Sequence, residues 1–193
     1  LRGEREEALK EYGVALALEK IAGEKSPAVG LTENSVSIAL LELGRVEVAR
    51  KHVDVAVEIL GAAKHPDLAL ALANRATVWG LGGKHREAIE DLGKAIEIAT
   101  AAVGAEHLRV AGLREQRGME LRAVGQEAEG RKELAGALRI AGLHREESAE
   151  AGVMVGRIEK ALVTGAVGVK KAEPAKPRTP GRPWRRARRE RPG

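Results

Sequence analysis

ALANRATVWGLGGKHREAIEDLGKAIEI, residues 71–98, supports two incompatible readings. At its centre, Trp79-Gly-Leu-Gly-Gly-Lys84 sets three glycines before a lysine, as a phosphate-binding loop does, and the preceding LALALA (68–73) alternates as a strand does. A Walker-type loop needs Gly, four residues, then Gly-Lys-Ser/Thr. Here Val78 stands where the first glycine belongs, and His85 follows Lys84. A dinucleotide fingerprint starting at Gly80 would need a small residue at position 85 and meets the same histidine. The counterparts of LALALA elsewhere, VGLTEN (29–34) and VAGLRE (110–115), do not alternate. The stretch therefore reads as helix, glycine turn, helix. Gly83 turns the chain and Lys84 leads into the second helix, while Gly80 and Gly82 are more glycine than a turn requires.

Those counterparts exist because the chain repeats. Glycine followed five residues later by a small residue occurs as Gly3/Ala8, Gly44/Ala49, Gly83/Ala88 and Gly125/Gly130, at intervals of 41, 39 and 42. GEKSP (23–27), GAAKHP (61–66) and GAEHL (104–108) keep the same beat. Residues 85–102 put Ala88, Leu92, Ala95, Ile96 and Ala99 on one helical face, and residues 46–60 do so with Ala49, Val53, Ala56 and Ile59/Leu60. Pro66, with Asp67 after it, is placed for a first helical position, and Pro27 likewise. Each unit is thus helix A, a turn, helix B and a short loop. Such units must stack, because a lone helical hairpin cannot bury both of its apolar faces.

HEAT and armadillo arrays share this period, so the residues decide between them. His65, Pro66, Ala69, Leu72, Asn74, Ala76, Trp79 (in place of Tyr), Gly83, Ala88, Leu92, Ala95 and Ile98 fall in step with one pattern. The stretch resembles the long tetratricopeptide repeat of kinesin light chains and many bacterial proteins. Gly3, Ala8, Tyr12 and Ala15 resemble the second half of such a repeat, so the chain is read as starting inside one. The resemblance covers about residues 3–143 and implies an all-α, right-handed α-α superhelix. Its expected parts are a half repeat (1–25) and repeats 26–64, 65–106 and 107–143. It departs from the pattern at Glu33, Arg75, Arg114 and Arg117, where apolar residues are usual; these must be exposed, pair their charges, or sit on rotated helices. Gly118 and Gly130 fall at small-residue contact positions, but Gly112 and Gly136 do not. Each of the latter costs about 0.8–1 kcal/mol relative to Ala, so the third repeat is expected to be the least stable.

Composition agrees with helices packed through small residues. Apolar residues make up 44% of the 193, aromatics 2%, and Phe is absent. Without Cys there is neither a disulfide framework nor a thiolate nucleophile. No apolar run approaches the roughly 20 residues of a membrane span, and the charged N-terminus has no apolar signal core. The protein is expected to be cytoplasmic, and the lack of an initiating Met suggests an incomplete N-terminus. Residues 144–164 are expected to form a capping helix, with Ala149, Val153, Ile158 and Leu162 in register. Residues 165–193 form a Pro/Arg-rich basic tail of disordered composition. Ten Lys or Arg after residue 163 face two Glu, whereas the rest of the chain has 23 basic against 26 acidic side chains.

Catalysis has no support in the sequence, and neither a cofactor nor a metal is expected. His65 and His107 recur at one loop position, which suits capping or packing better than ligation, and no His-Glu-x-x-His or Gly-x-Ser-x-Gly occurs. The resemblance implies instead a non-catalytic scaffold that holds a peptide of a partner protein in the concave groove lined by the A helices. Carried over, the groove positions are Asn34, Ser35 and Ile38, then Asn74 and Thr77, then Glu115, Gln116, Met119 and Arg122. The Lys/Asn clamp of chaperone-binding members is not reproduced, which disfavours chaperone tails. The alternative is a nucleic-acid-associated protein, with Arg185, Arg186, Arg188 and Arg189 on phosphates and Trp184 stacked on a base.

Overall fold

The computed structural model describes residues 2–164, all in helices or short connections, with no strand among them. The helices are α1 (Arg2–Gly23), α2 (Pro27–Glu42), α3 (Val46–Ala62), α4 (Leu68–Leu81), α5 (His85–Val103), α6 (Leu108–Ala123), α7 (Glu127–Leu143) and α8 (Ala149–Thr164). α2/α3, α4/α5 and α6/α7 are tightly packed hairpins, and each second helix also packs on the helix that follows it. The result is a right-handed solenoid. The basic tail, with Trp184 and its flanking arginines, lies outside the described residues.

One backbone device makes all three hairpin turns. Gly44, Gly83 and Gly125 adopt φ of 74°, 74° and 83°, a conformation that side chains disfavour. The amide after each glycine reaches the carbonyl five residues back: Arg45 to Leu40, Lys84 to Trp79, and Gln126 to Leu121, at 2.8–2.9 Å. This is the Schellman closure, which satisfies the last carbonyls of the first helix. Two turn expectations fail. Gly3 lies within α1. Pro66 precedes α4 rather than opening it. His65–Asp67 form a turn whose carbonyls accept from Leu68, Ala69 and Leu70, so the helix starts at Leu68. Pro27 does open α2, with the Ser26 hydroxyl accepting from Val29 N at 3.5 Å.

The core is built of small and branched side chains. The stripes of α3 and α5 bury Ala49, Val53, Ala56, Ile59 and Leu60, and Ala88, Leu92, Ala95 and Ala99; Ile96 is partly buried. Helices approach most closely at Gly118 and Gly130: a Cβ on Gly118 would lie 2.9 Å from the Gly130 carbonyl oxygen.

The four charges at apolar positions each pair with a residue of the second helix of their own hairpin, and Glu33 and Arg75 also reach a neighbouring unit. Glu33, 3% exposed, meets His52 Nδ1 at 2.6 Å and Lys20 at 3.0 Å. Arg75 grips Asp91 with two bonds of 2.7 and 2.8 Å, while Trp79 Nε1 donates to the same carboxylate at 3.2 Å. That pairing raises the Arg75 pKa above the ordinary guanidinium value. Arg114 and Arg117 share Glu133, at 3.2 and 2.6 Å. Residues 52, 91 and 133 all lie eight positions after a turn glycine, so one row of the B helices supplies a partner to each of the four.

α8 packs on α7 and touches α6. Its buried face is Ala151, Met154, Val155 and Ile158, with Leu162 partly covered, whereas Ala149 and Val153 are exposed. The expected register was thus half wrong. At about 100° per residue, positions 151, 154, 155 and 158 form one stripe that leaves 149 and 153 on the other side. The helix also starts later than expected, since residues 144–147 form a turn and the Ser148 hydroxyl accepts from Ala151 N at 3.3 Å.

Candidate functional site

Contacts between alternate helices reveal which way the stack bends. α2 touches α4 and α6 touches α8, with no comparable contact among α3, α5 and α7. Closer approach on one side makes that side concave, so the A helices line the inner face.

Side-chain bonds span that face. Asn74 Nδ2 donates to Asn34 Oδ1 at 2.9 Å, linking α4 to α2. Gln116 Nε2 donates to Thr77 Oγ1 at 2.7 Å, linking α6 to α4. Arg157 of α8 clasps Glu115 of α6 through two bonds of 2.5 and 2.6 Å, which raises the arginine's pKa. Because these atoms face one another across the inner side, helical spacing from them traces its floor. On α4 the floor is Leu70, Asn74, Thr77 and Leu81; on α2 it is Leu31, Ser35, Ile38 and Glu42; on α6 it is Gly112, Gln116, Met119 and Ala123.

Of the groove residues expected from sequence, Asn34 is buried and holds Asn74. Ser35 and Thr77 donate back to the carbonyls of Leu31 and Ala73, both at 3.1 Å. Ile38 and Met119 are exposed. Ser35 and Ile38 border a cleft of about 360 Å³ shared with Glu4 and Tyr12, and Gln116 and Met119 border one of about 320 Å³ shared with Arg157. Glu115 is nearly buried beneath Arg157. Arg122 is held by Glu127 at 3.0 Å and by the Ala161 carbonyl at 2.9 Å. Leu31, Leu70 and Leu81 were missed from sequence, although stepping three and four residues from Asn74 finds the last two. Arg157 had no such signal, because it lies beyond the repeats.

Four further residues gain a role. A Cβ on Gly80 would lie 2.5 Å from a carboxylate oxygen of Glu120, whose other oxygen meets His85 Nδ1 at 2.7 Å. Gly80 therefore makes room for a bond that joins α5 to α6. His65 and His107 accept backbone N–H groups two residues on, at 3.2 and 3.0 Å, and so cap their turns. Lys84 Nζ sits 4.8 Å from the centre of the Trp79 ring, a cation–π contact over the turn. Among the described residues no cluster of three or more His, Asp or Glu is arranged to hold a metal, and no helix is long and apolar enough to cross a membrane.

No protein-family model matches the chain, and no curated protein sequence does. Solved structures do. BtubC (BKLC) from P. vanneervenii superposes with a TM-score of 0.68 at 15% identity, over 96% of this chain and 82% of that one. The fold is a tetratricopeptide-repeat solenoid. A putative kinesin light chain of Podosopora anserina with nearly identical TPR-like repeats gives 0.67 at 19% identity, over 84% and 81%. The first TPR of Spaghetti (RPAP3), bound to the HSP90 peptide SRMEEVD, gives 0.50 at 17% identity, over 72% and 96%.

Proposed function

We propose that the protein is a non-catalytic interaction scaffold that holds a segment of a partner protein along the inner face of α2, α4 and α6. The observation that carries this reading is the make-up of the floor. Leu70, Leu81, Ile38 and Met119 are 44%, 64%, 36% and 48% exposed, interleaved with Ser35, Asn74, Thr77 and Gln116. Apolar side chains left in water on a concave surface gain free energy when a ligand covers them. Asn74 and Gln116 each commit one amide N–H to a neighbouring helix and keep a second N–H and the amide oxygen, so they can pair with a peptide backbone whatever its side chains.

The floor also selects. It carries no lysine, and the nearby Arg157 is clasped to Glu115. An acidic tail such as the HSP90 peptide in the Spaghetti complex finds no free cation here, so the favoured ligand is an uncharged segment with apolar side chains. A peptide library panned against the full chain tests this. The expected ligands are apolar, bind equally to residues 1–167, and are lost on Thr77→Arg with Met119→Glu. Ligands that depend on residues 168–193 and weaken steeply with salt would favour nucleic-acid binding through the tail instead.

A further inference from the structure

Arg75 and Arg117 hold the same place in successive repeats, each eight positions before the turn glycine of its hairpin. Their surroundings differ. Arg75 faces two carboxylates. Asp91, on the second helix of its own hairpin, takes two bonds of 2.7 and 2.8 Å, and Asp54, on the preceding helix α3, stands 3.7 Å from Nη1. Arg117 keeps the first of these, since Glu133 stands where Asp91 does. It lacks the second. Asp54 and Gly93 both lie ten positions after a turn glycine, so α5 offers Arg117 a bare backbone where α3 offers Arg75 a carboxylate. A Cβ added at Gly93 would meet nothing within 4 Å, so the space is open.

The third repeat also adds a cation. Arg114 takes the position of Leu72, lies over Gly136 and shares Glu133 with Arg117. One guanidinium between two carboxylates thus becomes two guanidiniums on one. Each guanidinium carries about five N–H donors. Each makes a single hydrogen bond, to Glu133. Both Nε atoms are buried without a partner, yet the side chains are 37% and 31% exposed, so the pair is open to solvent. The pair also lies off the inner floor. Arg117 is about 100° around α6 from the floor residue Gln116, and Glu133 draws both arginines toward α7.

We propose that this gap between α5 and α7 takes a carboxylate from an Asp or Glu side chain of a partner segment, in the place that Asp54 fills one repeat earlier. Two arginines against one glutamate leave one positive charge, which one carboxylate neutralises. A free carboxylate ion gains too little from exposed arginines to stay bound. A longer segment adds its flanking contacts, and α5 supplies a place for one. Lys94, the residue after Gly93, borders a cleft of about 300 Å³ walled by Val57, Leu68, Leu72 and Ile98, with Glu97 offsetting its charge. An acidic segment with one apolar residue therefore suits both sides of the helix.

The probe is the blocked peptide acetyl-Glu-Glu-Leu-Glu-Glu-amide, titrated into the full chain at constant ionic strength while NMR follows the Nε–Hε signals of Arg114 and Arg117. We expect saturable shifts at both, and none with the peptide that has Gln in place of Glu. Gly93→Asp supplies the missing carboxylate from within the chain, so it should weaken binding about tenfold or more. It should also raise the Tm above that of Gly93→Asn. Gly93→Asn has the same volume and a similar helix propensity, and should keep the affinity. Both side chains enter open space, so both variants keep the fold, which circular dichroism checks. The proposal is overturned by the absence of saturable shifts, or by equal shifts with the glutamine peptide. Binding that Gly93→Asp leaves intact, or that Gly93→Asn abolishes, overturns it too. Inorganic phosphate saturating the same signals at lower concentration than the peptide would rule out a carboxylate as the ligand. Thr77→Arg with Met119→Glu should change nothing, because the site does not rest on the inner-face reading.

Discussion

Asn74 Nδ2 donates to Asn34 Oδ1 at 2.9 Å, across forty residues of sequence, where α4 meets α2 on the inner face. The same two amides that sequence assigns to ligand binding therefore also fix the spacing of neighbouring repeats. Asn34 is 5% exposed, so removing its donor strands a buried acceptor. Asn74→Ala should cost about 1–3 kcal/mol in urea unfolding, the cost of one unsatisfied buried group. Ser35→Ala, whose hydroxyl only bonds back to its own helix, should stay within about 0.5 kcal/mol.

Arg75 and Asp91 make the most buried ion pair, and buried pairs are costly to break by halves. Asp91→Leu should destabilise by up to about 3–5 kcal/mol, because it leaves the guanidinium only the longer 3.7 Å pairing with Asp54. Arg75→Met combined with Asp91→Leu should be milder than Asp91→Leu alone. A residual cost remains from the Trp79 N–H, which loses its acceptor. Chemical denaturation of the double-mutant cycle measures this; additive losses would refute the pairing argument.

The third repeat should open first. Arg114 Nε and Arg117 Nε are buried without a hydrogen-bond partner, each a penalty of about 1–3 kcal/mol. Gly112 adds its helix-interior cost, and its Cβ would meet only Met154 Cε at 3.8 Å. Gly112→Ala should therefore stabilise by up to about 1 kcal/mol. Gly118→Ala, where a Cβ would meet the Gly130 oxygen and Leu134 at 2.9 Å, should destabilise. Hydrogen exchange should show residues 108–143 less protected than 68–103, and the opposite order would contradict this ranking.

Glu127 accepts from Arg122 and Arg131, which hold its carboxyl below the usual glutamate range. A depressed folded value means this contribution is fully present above the ordinary glutamate pKa and lost as pH falls through the lowered one. The stability difference between wild type and Glu127→Gln should thus shrink between pH 6 and pH 3. A difference that grows on acidification would have the wrong sign.

The fold was legible because its signals recur. Gly44, Gly83 and Gly125 repeat one backbone need, and the stripe from Ala49 to Leu60 repeats as Ala88 to Ala99. Features that occur once were harder to read. Lys64 takes the left-handed φ of 49° that glycines take elsewhere, and it closes its turn with the same amide-to-carbonyl bond, His65 to Leu60 at 2.9 Å. No composition rule singles out that lysine. The ion pairs were visible only as anomalies, since Glu33 or Arg75 does not reveal its partner until the helices are placed. The inner face was half legible: the resemblance supplied Asn74 and Thr77, and Leu70 and Leu81 follow only when helical spacing is stepped out from Asn74.

The inner face is the central claim, and peptide binding by paired surface variants tests it most directly. Apolar peptides selected on the full chain would be titrated against Thr77→Arg with Met119→Glu on the inner face, and against Lys94→Glu with Lys132→Glu on the exposed sides of α5 and α7. The account predicts at least about a tenfold loss of affinity for the first variant, equivalent to about 1.4 kcal/mol, and none for the second. Full affinity in the inner-face variant, with loss in the outer one, would contradict it.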